Sequence, residues 1–193
     1  MRKHISQAQC ESTLIANHDI AIASSRALST VAAGMISARK VSDIDWSRWQ
    51  PTDRATLLFV IKGGQILLIH KKRGLGAGKI NGPGGRVEPG ETPIECAIRE
   101  VREELLITAS GVKWAGLVRF QFIDGYSICA DVFTATDFDG TPTETDEAVP
   151  HWYKLDQLPY SRMWPDDELW MPLMFAGKKF EGRFIFDSDT MLD

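Results

Sequence analysis

The alternation of apolar and polar residues predicts several β-strands. Residues 55–72, ATLLFVIKGGQILLIHKK, contain two apolar runs on either side of Gly63 and Gly64. A glycine pair between two such runs is typical of a tight hairpin turn. Two further strand-like runs follow, GLVRFQF at 116–122 and YSICADVFTAT at 126–136.

Residues 93–105 have the apolar period of an amphipathic helix. Thr92 suits the N-cap position, Pro93 the first helical position, and Glu95 lies three residues after the cap. A second helix is predicted to begin near Pro165. Strands mixed with two helices indicate an α/β or α+β sandwich. The predicted buried stripe of the first helix consists of Ile94, Ala97, Ile98, Val101 and Leu105.

Composition limits the class of protein. A chain of 193 residues with 44% apolar residues is long enough for one domain with a full core. The net charge of −4 argues against binding to polymeric nucleic acid, and no apolar run approaches the length of a membrane span. The three cysteines show no metal-type spacing, which suits reduced thiols in the cytoplasm. We expect a monomer.

The first segment differs in charge from the rest. Residues 1–42 hold five basic and two acidic side chains and are rich in Ser and Ala. We interpret residues 1–52 as an extension, partly helical or disordered, because Pro51 interrupts the chain before the first strand. A mitochondrial transit segment is the alternative interpretation. The main domain is then 53–193.

A glycine-rich loop precedes an acidic helix face. Residues 73–91 contain seven glycines and two prolines, a composition typical of a functional loop. Glu100, Glu103 and Glu104 share one face of the following helix, where clustered carboxylates suit Mg²⁺ or Mn²⁺. A charge-laced helix neutralised by arginines is the alternative.

The segment GRVEPGETPIECAIREVREELLI, residues 85–107, resembles the Nudix box. One position departs from the family pattern, because Leu106 stands where the family has glycine. A leucine in the left-handed conformation would cost roughly 1–2 kcal/mol, so we expect the helix to run on to Thr108. The matching positions are Gly85, Glu91, Arg99, Glu100, Val101, Glu103, Glu104 and Ile107.

The resemblance implies a fold and a mechanism. The Nudix fold is a mixed β-sheet sandwiched between helices (α/β/α). Glu100, Glu103 and Glu104 are implied to bind Mg²⁺, with Mn²⁺ as a substitute, together with the Gly85 backbone and Glu147 from a later loop. The cation would neutralise diphosphate oxygens and activate water. The general base is left open among Glu100, Glu103 and Glu147, while Glu91 and Arg99 are implied to be structural.

The resemblance extends to a substrate class. Residues 71–92 and 156–193 are similar to the oxidised purine nucleoside triphosphatases of this family. The implied reaction is hydrolysis of 8-oxo-dGTP and 2-hydroxy-dATP to the monophosphate and pyrophosphate, which sanitises the nucleotide pool. The residues that match the family's base pocket are Thr56, Lys71, Asn81, Phe120, Trp164, Asp166 and Asp167.

The chemistry of these residues suits the recognition of a purine. Trp164 and Phe120 offer faces for stacking, and Asn81 can donate and accept along a base edge. Two carboxyls in an apolar pocket cannot both ionise cheaply, so one of Asp166 and Asp167 is predicted to keep its proton.

Other interpretations remain at this point. Asn81 is equally a turn residue, and five aromatic residues are assigned to the core. The protein is alternatively a Nudix hydrolase of methylated purine triphosphates or dinucleotides, or a silent nucleotide-binding module. The residues assigned to the core are Trp170, Phe175, Phe180, Phe184 and Phe186.

Overall fold

The computed structural model describes residues 36–193. The helices are α1 (Pro93–Leu105) and α2 (Asp167–Phe175), and two 3₁₀ turns lie at Val41–Asp43 and Tyr160–Arg162. The strands are β1 (Asp53–Lys62), β2 (Gln65–Lys71), β3 (Ile80–Asn81), β4 (Ile107–Ser110), β5 (Lys113–Phe122), β6 (Ser127–Ala135), β7 (Asp137–Gly140), β8 (Ala148–Lys154), β9 (Phe180–Asp187) and β10 (Thr190–Met191).

One mixed sheet forms the centre of the molecule. Its strand order is β10-β9-β5-β6-β1-β2-β3, with β8 also pairing with β2, and a separate pair joins β4 to β7. The pairs β1–β6 and β5–β9 are parallel, while the other pairs are antiparallel. The predicted hairpin is confirmed: Gly63 and Gly64 have φ values of 60° and 75° between the paired residues Lys62 and Gln65.

The two helices lie on opposite faces of this sheet. Alternate residues of β1 point in opposite directions, so Phe59 packs in the cluster that contains Trp170 of α2. Leu58 and Val60 instead pack in the cluster that contains Val101 of α1. The predicted architecture of a sheet between helices is confirmed.

Helix α1 begins at the predicted residue, Pro93, and its capping box is formed. The Thr92 amide donates to the Glu95 carboxylate at 2.9 Å, and the Glu95 amide donates to the Thr92 hydroxyl at 3.4 Å. The prediction that Ile94 is buried is wrong: it is 41% exposed, because the first turn extends past the apolar cluster. Glu104, expected on the polar face, is only 1% exposed.

The expectation that α1 runs on to Thr108 is also wrong. Leu106 adopts the left-handed conformation (φ 59°, ψ 30°), and its amide donates to the Arg102 carbonyl at 3.0 Å. Strand β4 begins at the next residue, where Ile107 pairs with Gly140 of β7. This pairing stabilises the abrupt helix end despite the strain of a non-glycine residue.

Helix α2 begins later than expected. Its first residue is Asp167, two residues after Pro165, because Pro165 and Asp166 lie in a turn closed by the Asp167 amide and the Trp164 carbonyl. Asp166 therefore occupies the N-cap position, but its side chain makes no capping hydrogen bond. Its carboxyl remains available for other contacts.

Residues 36–52, the described part of the predicted extension, contact the domain. The Ile36 amide donates to the Ile123 carbonyl at 2.8 Å, and Ala38 is buried beside Ile123 and Ile185. The boundary at residue 52 stays a prediction, and residues 1–35 lie outside the described residues. Within 36–193, no helix is long and apolar enough to cross a membrane.

Candidate active site

A cavity of about 450 Å³ opens on the α2 side of the sheet. Strands β1, β5 and β6 form its floor, and the glycine-rich loop after β2 forms one wall. All seven residues predicted for the base pocket line it, together with Gly85 and Glu147. The seven are Thr56, Lys71, Asn81, Phe120, Trp164, Asp166 and Asp167.

The glycine-rich loop runs antiparallel to β1 and sets the order of groups along the cavity. The Leu58 amide donates to the Pro83 carbonyl at 3.0 Å, and the Thr56 amide donates to the Gly85 carbonyl at 2.9 Å. Asn81 therefore lies towards the carboxyl end of β1, and Gly85 lies near its middle.

Arg99 of α1 ties this loop to the helix. Its guanidinium donates to both oxygens of Glu91, at 2.8 and 2.9 Å, and to the Arg86 carbonyl at 3.1 Å. Hydrogen bonds from Arg99, and then from the Glu88 amide, lower the pKa of Glu91 to about 2. The structural role expected for Glu91 and Arg99 agrees with these contacts.

Two of the α1 carboxylates lie against the loop. Glu104 Oε1 accepts from Lys71 Nζ at 2.9 Å, and its Oε2 accepts from the Gly84 amide at 2.9 Å. A Cβ atom on Gly85 would lie 2.2 Å from Glu100 Oε1, so only glycine allows this approach. Burial raises the pKa of both Glu100 and Glu104, which makes a nearby positive charge favourable.

The other two predicted metal ligands are held apart. Glu103 is exposed and contacts Arg99 Nη1 at 3.2 Å, while Glu147 is paired with Arg73. Within residues 36–193, no three Asp, Glu, His or Cys side chains converge closely enough to share one ion.

The donor set nevertheless fits a divalent cation. Buried carboxylate oxygens and an open backbone approach at Gly85 are the ligand types that hard cations prefer. Each of these acids is also paired with a Lys or Arg side chain, which neutralises the charge of the carboxylate in this structure. A shared site would require Arg99 and Arg73 to release Glu103 and Glu147.

The cavity itself is lined by two buried acids of another kind. Asp166 and Asp167 are 1% and 3% exposed. Asp166 Oδ2 accepts from the Trp170 indole at 2.9 Å, and Asp167 Oδ2 accepts from the Trp164 amide at 3.2 Å. Asp166 Oδ1 is buried without a hydrogen-bond partner among the described residues.

Burial makes ionisation of this pair unfavourable. It raises the pKa of Asp166 to about 6. Burial, followed by the charge of Asp166, raises the pKa of Asp167 well above its usual value. At least one of the two carboxyls therefore keeps a proton near neutral pH and can donate a hydrogen bond.

Aromatic side chains surround these acids. Trp164 meets Phe186 edge-on at 5.5 Å between centroids, and Lys79 Nζ lies 4.8 Å from the Trp164 ring centre. Phe120 stacks on Phe184 at 5.8 Å. Phe186 belongs to the core, as predicted, but it also lines the cavity, which the sequence interpretation missed.

Asn81 was interpreted both as a turn residue and as a residue of the base pocket, and its position is compatible with both. Its Oδ1 accepts from the Gly82 amide at 2.8 Å, as in a turn, and the residue lines the cavity. The side-chain Nδ2 is then its donor towards the cavity.

Sequence interpretation also missed polar residues of the cavity wall. Asp53, Arg73, Arg86 and Tyr126 all line it, but none belongs to a motif that singles it out. The period of two in β1 was the available signal, because it places Asp53 and Ala55 on one face.

The comparisons with known proteins agree with one another on the family of the relatives. The NUDIX domain model matches residues 51–174. Proteins named "Oxidized purine nucleoside triphosphate hydrolase" from Danio rerio and Mus musculus are each 42% identical over 71% of this chain, which covers 88% and 89% of those proteins. The solved structure of a mutator MutT protein from Bacillus halodurans has a TM-score of 0.65 at 26% identity, covering 73% of this chain and 95% of that one.

Proposed function

The chain belongs to the Nudix family, and from that premise we propose that it hydrolyses oxidised purine nucleoside triphosphates. The substrates are 8-oxo-dGTP and 2-hydroxy-dATP, and the products are the monophosphate and pyrophosphate. Nudix hydrolases use a divalent metal, which we assign here as Mg²⁺, with Mn²⁺ as a substitute. The role of such an enzyme is to sanitise the nucleotide pool.

One observation carries the choice of an oxidised purine. Asp166 Oδ1 is buried in the cavity without a partner in the described part of the chain, and an unpaired buried polar atom is costly unless a ligand satisfies it. Asp167 lies beside it with a strongly raised pKa. The pair can therefore present both an acceptor and a donor to a base edge.

This pair suits oxidised bases because oxidation changes where a purine carries protons and carbonyl oxygens. A shared proton that moves between Asp166 and Asp167 would match either an oxidised guanine or an oxidised adenine. Stacking on Trp164 or Phe120 would contribute about 1–3 kcal/mol without choosing between bases. We therefore assign the selectivity between bases to Asp166, Asp167 and Asn81.

The reacting end lies at α1. A bound divalent cation supplies neutralisation of the diphosphate oxygens and activation of water. Glu100, Glu103, Glu104 and Glu147 would hold it. Both oxygens of Glu104 have partners, on Lys71 and the Gly84 amide, which hold that carboxylate in one orientation.

The candidates for the general base are the carboxylates that can still reorient. Glu103 is exposed, and Glu147 lies at the cavity wall, so both can move after leaving their arginines. Glu100 is partly buried, and burial raises its pKa, which favours proton uptake. Substitution of each by Gln, with pH–rate profiles, would separate a base from a ligand.

A nucleotide panel tests the proposed function. Pyrophosphate, phosphate and nucleotide products would be followed for 8-oxo-dGTP, 2-hydroxy-dATP, dGTP, dATP, a methylated purine triphosphate and a dinucleotide, with and without Mg²⁺. We expect Mg²⁺-dependent pyrophosphate release, fastest with the oxidised purines. Cleavage of only the dinucleotide or the methylated nucleotide would replace the proposed substrate. A complete lack of products would leave only a binding role.

A further inference from the structure

Three polar side chains form a connected group at the outer end of the cavity. Tyr126 Oη donates to Asp53 Oδ2 at 2.7 Å, and Arg86 Nε contacts the same oxygen at 2.8 Å. Arg86 Nη2 donates to Tyr126 Oη at 3.3 Å. All three residues line the cavity. We refer to Asp53, Arg86 and Tyr126 as the outer triad.

The outer triad lies on the far side of Gly85 from Asn81, because the glycine-rich loop runs antiparallel to β1. Arg86 forms a bridge with Ala55 near the start of β1, whereas Gly82 lies against Phe59 further along the same strand. Asp53 and Phe59 are six positions apart, which corresponds to about 20 Å in an extended strand. That span is comparable to an extended nucleoside triphosphate, with Gly85 between its ends.

The chemistry of Arg86 fits an anion. Asp53 and Tyr126 occupy the side of the guanidinium formed by Nε and Nη2, and neither contact uses Nη1. A guanidinium held along one edge can bind a phosphate with its other edge through two parallel hydrogen bonds. Burial and the bond to Asp53 raise the pKa of Tyr126, so the phenol keeps the proton that it donates.

We propose that Arg86 binds the terminal phosphate of a nucleoside triphosphate, and that Asp53 and Tyr126 are positioning residues that orient its guanidinium. This inference rests on the proposed function, because the base end and the reacting end define the direction of the substrate. The outer triad then selects triphosphates over diphosphates, while Asp166 and Asp167 select the base.

The wall that carries Tyr126 is anchored by the segment before β1. Trp49 Nε1 donates to Gln121 Oε1 at 2.8 Å, and Gln121 Nε2 donates to the carbonyls of Phe122 and Tyr126 at 3.0 Å each. Gln121 is 6% exposed, so these bonds have little competition from water. Trp49 thus fixes the Tyr126 backbone, and through it the outer triad.

Arg86→Gln tests the inference through the ratio of two substrates. The measurement is kcat/KM for 8-oxo-dGTP and for 8-oxo-dGDP in the full-length chain with Mg²⁺. We expect a loss of about 10- to 100-fold for the triphosphate, mainly in KM, because a charge-assisted contact is removed. The diphosphate value should change less than about 3-fold. Arg54→Gln is the matched control, since Arg54 neighbours Asp53 but pairs with Asp131 away from the cavity lining.

Tyr126→Phe and Arg86→Lys separate positioning from charge. Both should lower the triphosphate-to-diphosphate ratio by about 5-fold, because hydrogen bonds of the outer triad are lost while the positive charge stays. Trp49→Phe should act in the same direction but more weakly. Its matched control is Trp46→Phe, because the Trp46 indole donates to the Val41 carbonyl within its own segment. Thermal unfolding of each variant would verify that it is folded.

The outcomes distinguish this inference from the proposed function. If the wild-type protein cleaves no oxidised nucleotide, the proposed function fails. If it cleaves 8-oxo-dGTP but Arg86→Gln leaves the ratio unchanged, or lowers both substrates equally, only the terminal-phosphate assignment fails. If Arg86→Gln changed the ratio of ribonucleotide to deoxynucleotide cleavage but left the triphosphate-to-diphosphate ratio unchanged, Arg86 would contact the sugar. That result would also overturn the terminal-phosphate assignment.

Discussion

Two groups of carboxylates differ in their neighbours: Asp166 and Asp167 line the cavity, whereas Glu104 of α1 contacts Lys71 and Gly84 of the cavity wall. Glu104 of α1 and Asp166 at the start of α2 are each 1% exposed. Glu104 lies 2.9 Å from the Lys71 ammonium, and Arg99 binds Glu100 and Glu103. Asp166 and Asp167 have no salt bridge to any residue within 36–193; their hydrogen bonds come from an indole and an amide.

This difference assigns different chemistry to the two groups. The α1 carboxylates have cationic partners, which offset part of the cost of burial that raises the pKa of Glu100 and Glu104, and their oxygens suit a divalent metal. Carboxyls buried without a cation retain a proton and suit hydrogen bonding to a neutral base. Under the proposed function, carboxylates thus serve the reacting phosphates beside α1 and base recognition at the start of α2.

The largest expected effect comes from the cation-paired group. Glu104→Gln removes one charge from the metal-binding set and leaves Lys71 without its carboxylate partner. We expect kcat to fall by at least about 100-fold at saturating Mg²⁺, with little change in the ratio of oxidised substrates. Pyrophosphate release would measure this. Glu88→Gln, at an exposed acid of the same loop, is the control, and a loss below about 3-fold in Glu104→Gln would contradict the assignment.

The proton-carrying group should change selectivity instead. Asp167→Asn and Asp166→Asn fix the pattern of donors and acceptors at the base edge. We therefore expect the ratio of kcat/KM for 8-oxo-dGTP and 2-hydroxy-dATP to change by about 10-fold or more. Glu168→Gln is the control, because Glu168 is the next residue and is exposed. Equal, small losses on both substrates would contradict base reading by the pair.

The acid pair at the start of α2 should also link stability to pH. The pKa of Asp166 is about 6 in the folded protein, above the ordinary value of 3.8, so the folded state binds more protons between these pH values. The free energy of unfolding therefore falls as pH rises through this window. Asp166→Asn removes the effect and should gain on the order of 2–3 kcal/mol relative to wild type between pH 4 and pH 7.5.

Denaturant unfolding at several pH values measures this gain. Glu168→Gln should show no comparable pH-dependent difference from wild type. A constant difference between Asp166→Asn and wild type across this range would show that the pair is not held protonated.

The smallest effect is expected at the end of α1, beyond the carboxylates. Leu106 holds a left-handed conformation at 57% exposure, so Leu106→Gly removes backbone strain and little packing. We expect the free energy of unfolding to rise by about 1 kcal/mol, with activity within about 2-fold of wild type. Thermal unfolding measures the expected change in stability, and pyrophosphate release measures the activity. Destabilisation, or a large loss of activity, would show that the Leu106 side chain has a role of its own.

Much of the fold and the identity of the cavity residues followed from local sequence signals. The cap at Thr92 and the Gly63-Gly64 turn depend on adjacent residues, so both were predicted correctly. The burial of Glu104 was not predicted, because it depends on Lys71, which lies 33 positions earlier in the chain. A helical wheel contains no information on such partners.

Long-range pairing also explains the error at Leu106 and the missed outer triad. The cost of a left-handed leucine favoured a longer α1, but the pairing of Ile107 with Gly140 follows directly on the helix end. Asp53 and Tyr126 are far apart in sequence and meet only because β1 and β6 are parallel neighbours. Such contacts depend on the topology of the sheet.

Parallel binding measurements on two variants test the central claim most directly. Mn²⁺ affinity and 8-oxo-dGMP affinity would each be measured for Glu104→Gln, Asp167→Asn and wild type. We predict that Glu104→Gln weakens Mn²⁺ binding while retaining 8-oxo-dGMP, and that Asp167→Asn weakens 8-oxo-dGMP binding while retaining Mn²⁺. If each substitution weakened both ligands equally, or neither, the division of the cavity into a metal-binding end and a base-reading end would be wrong.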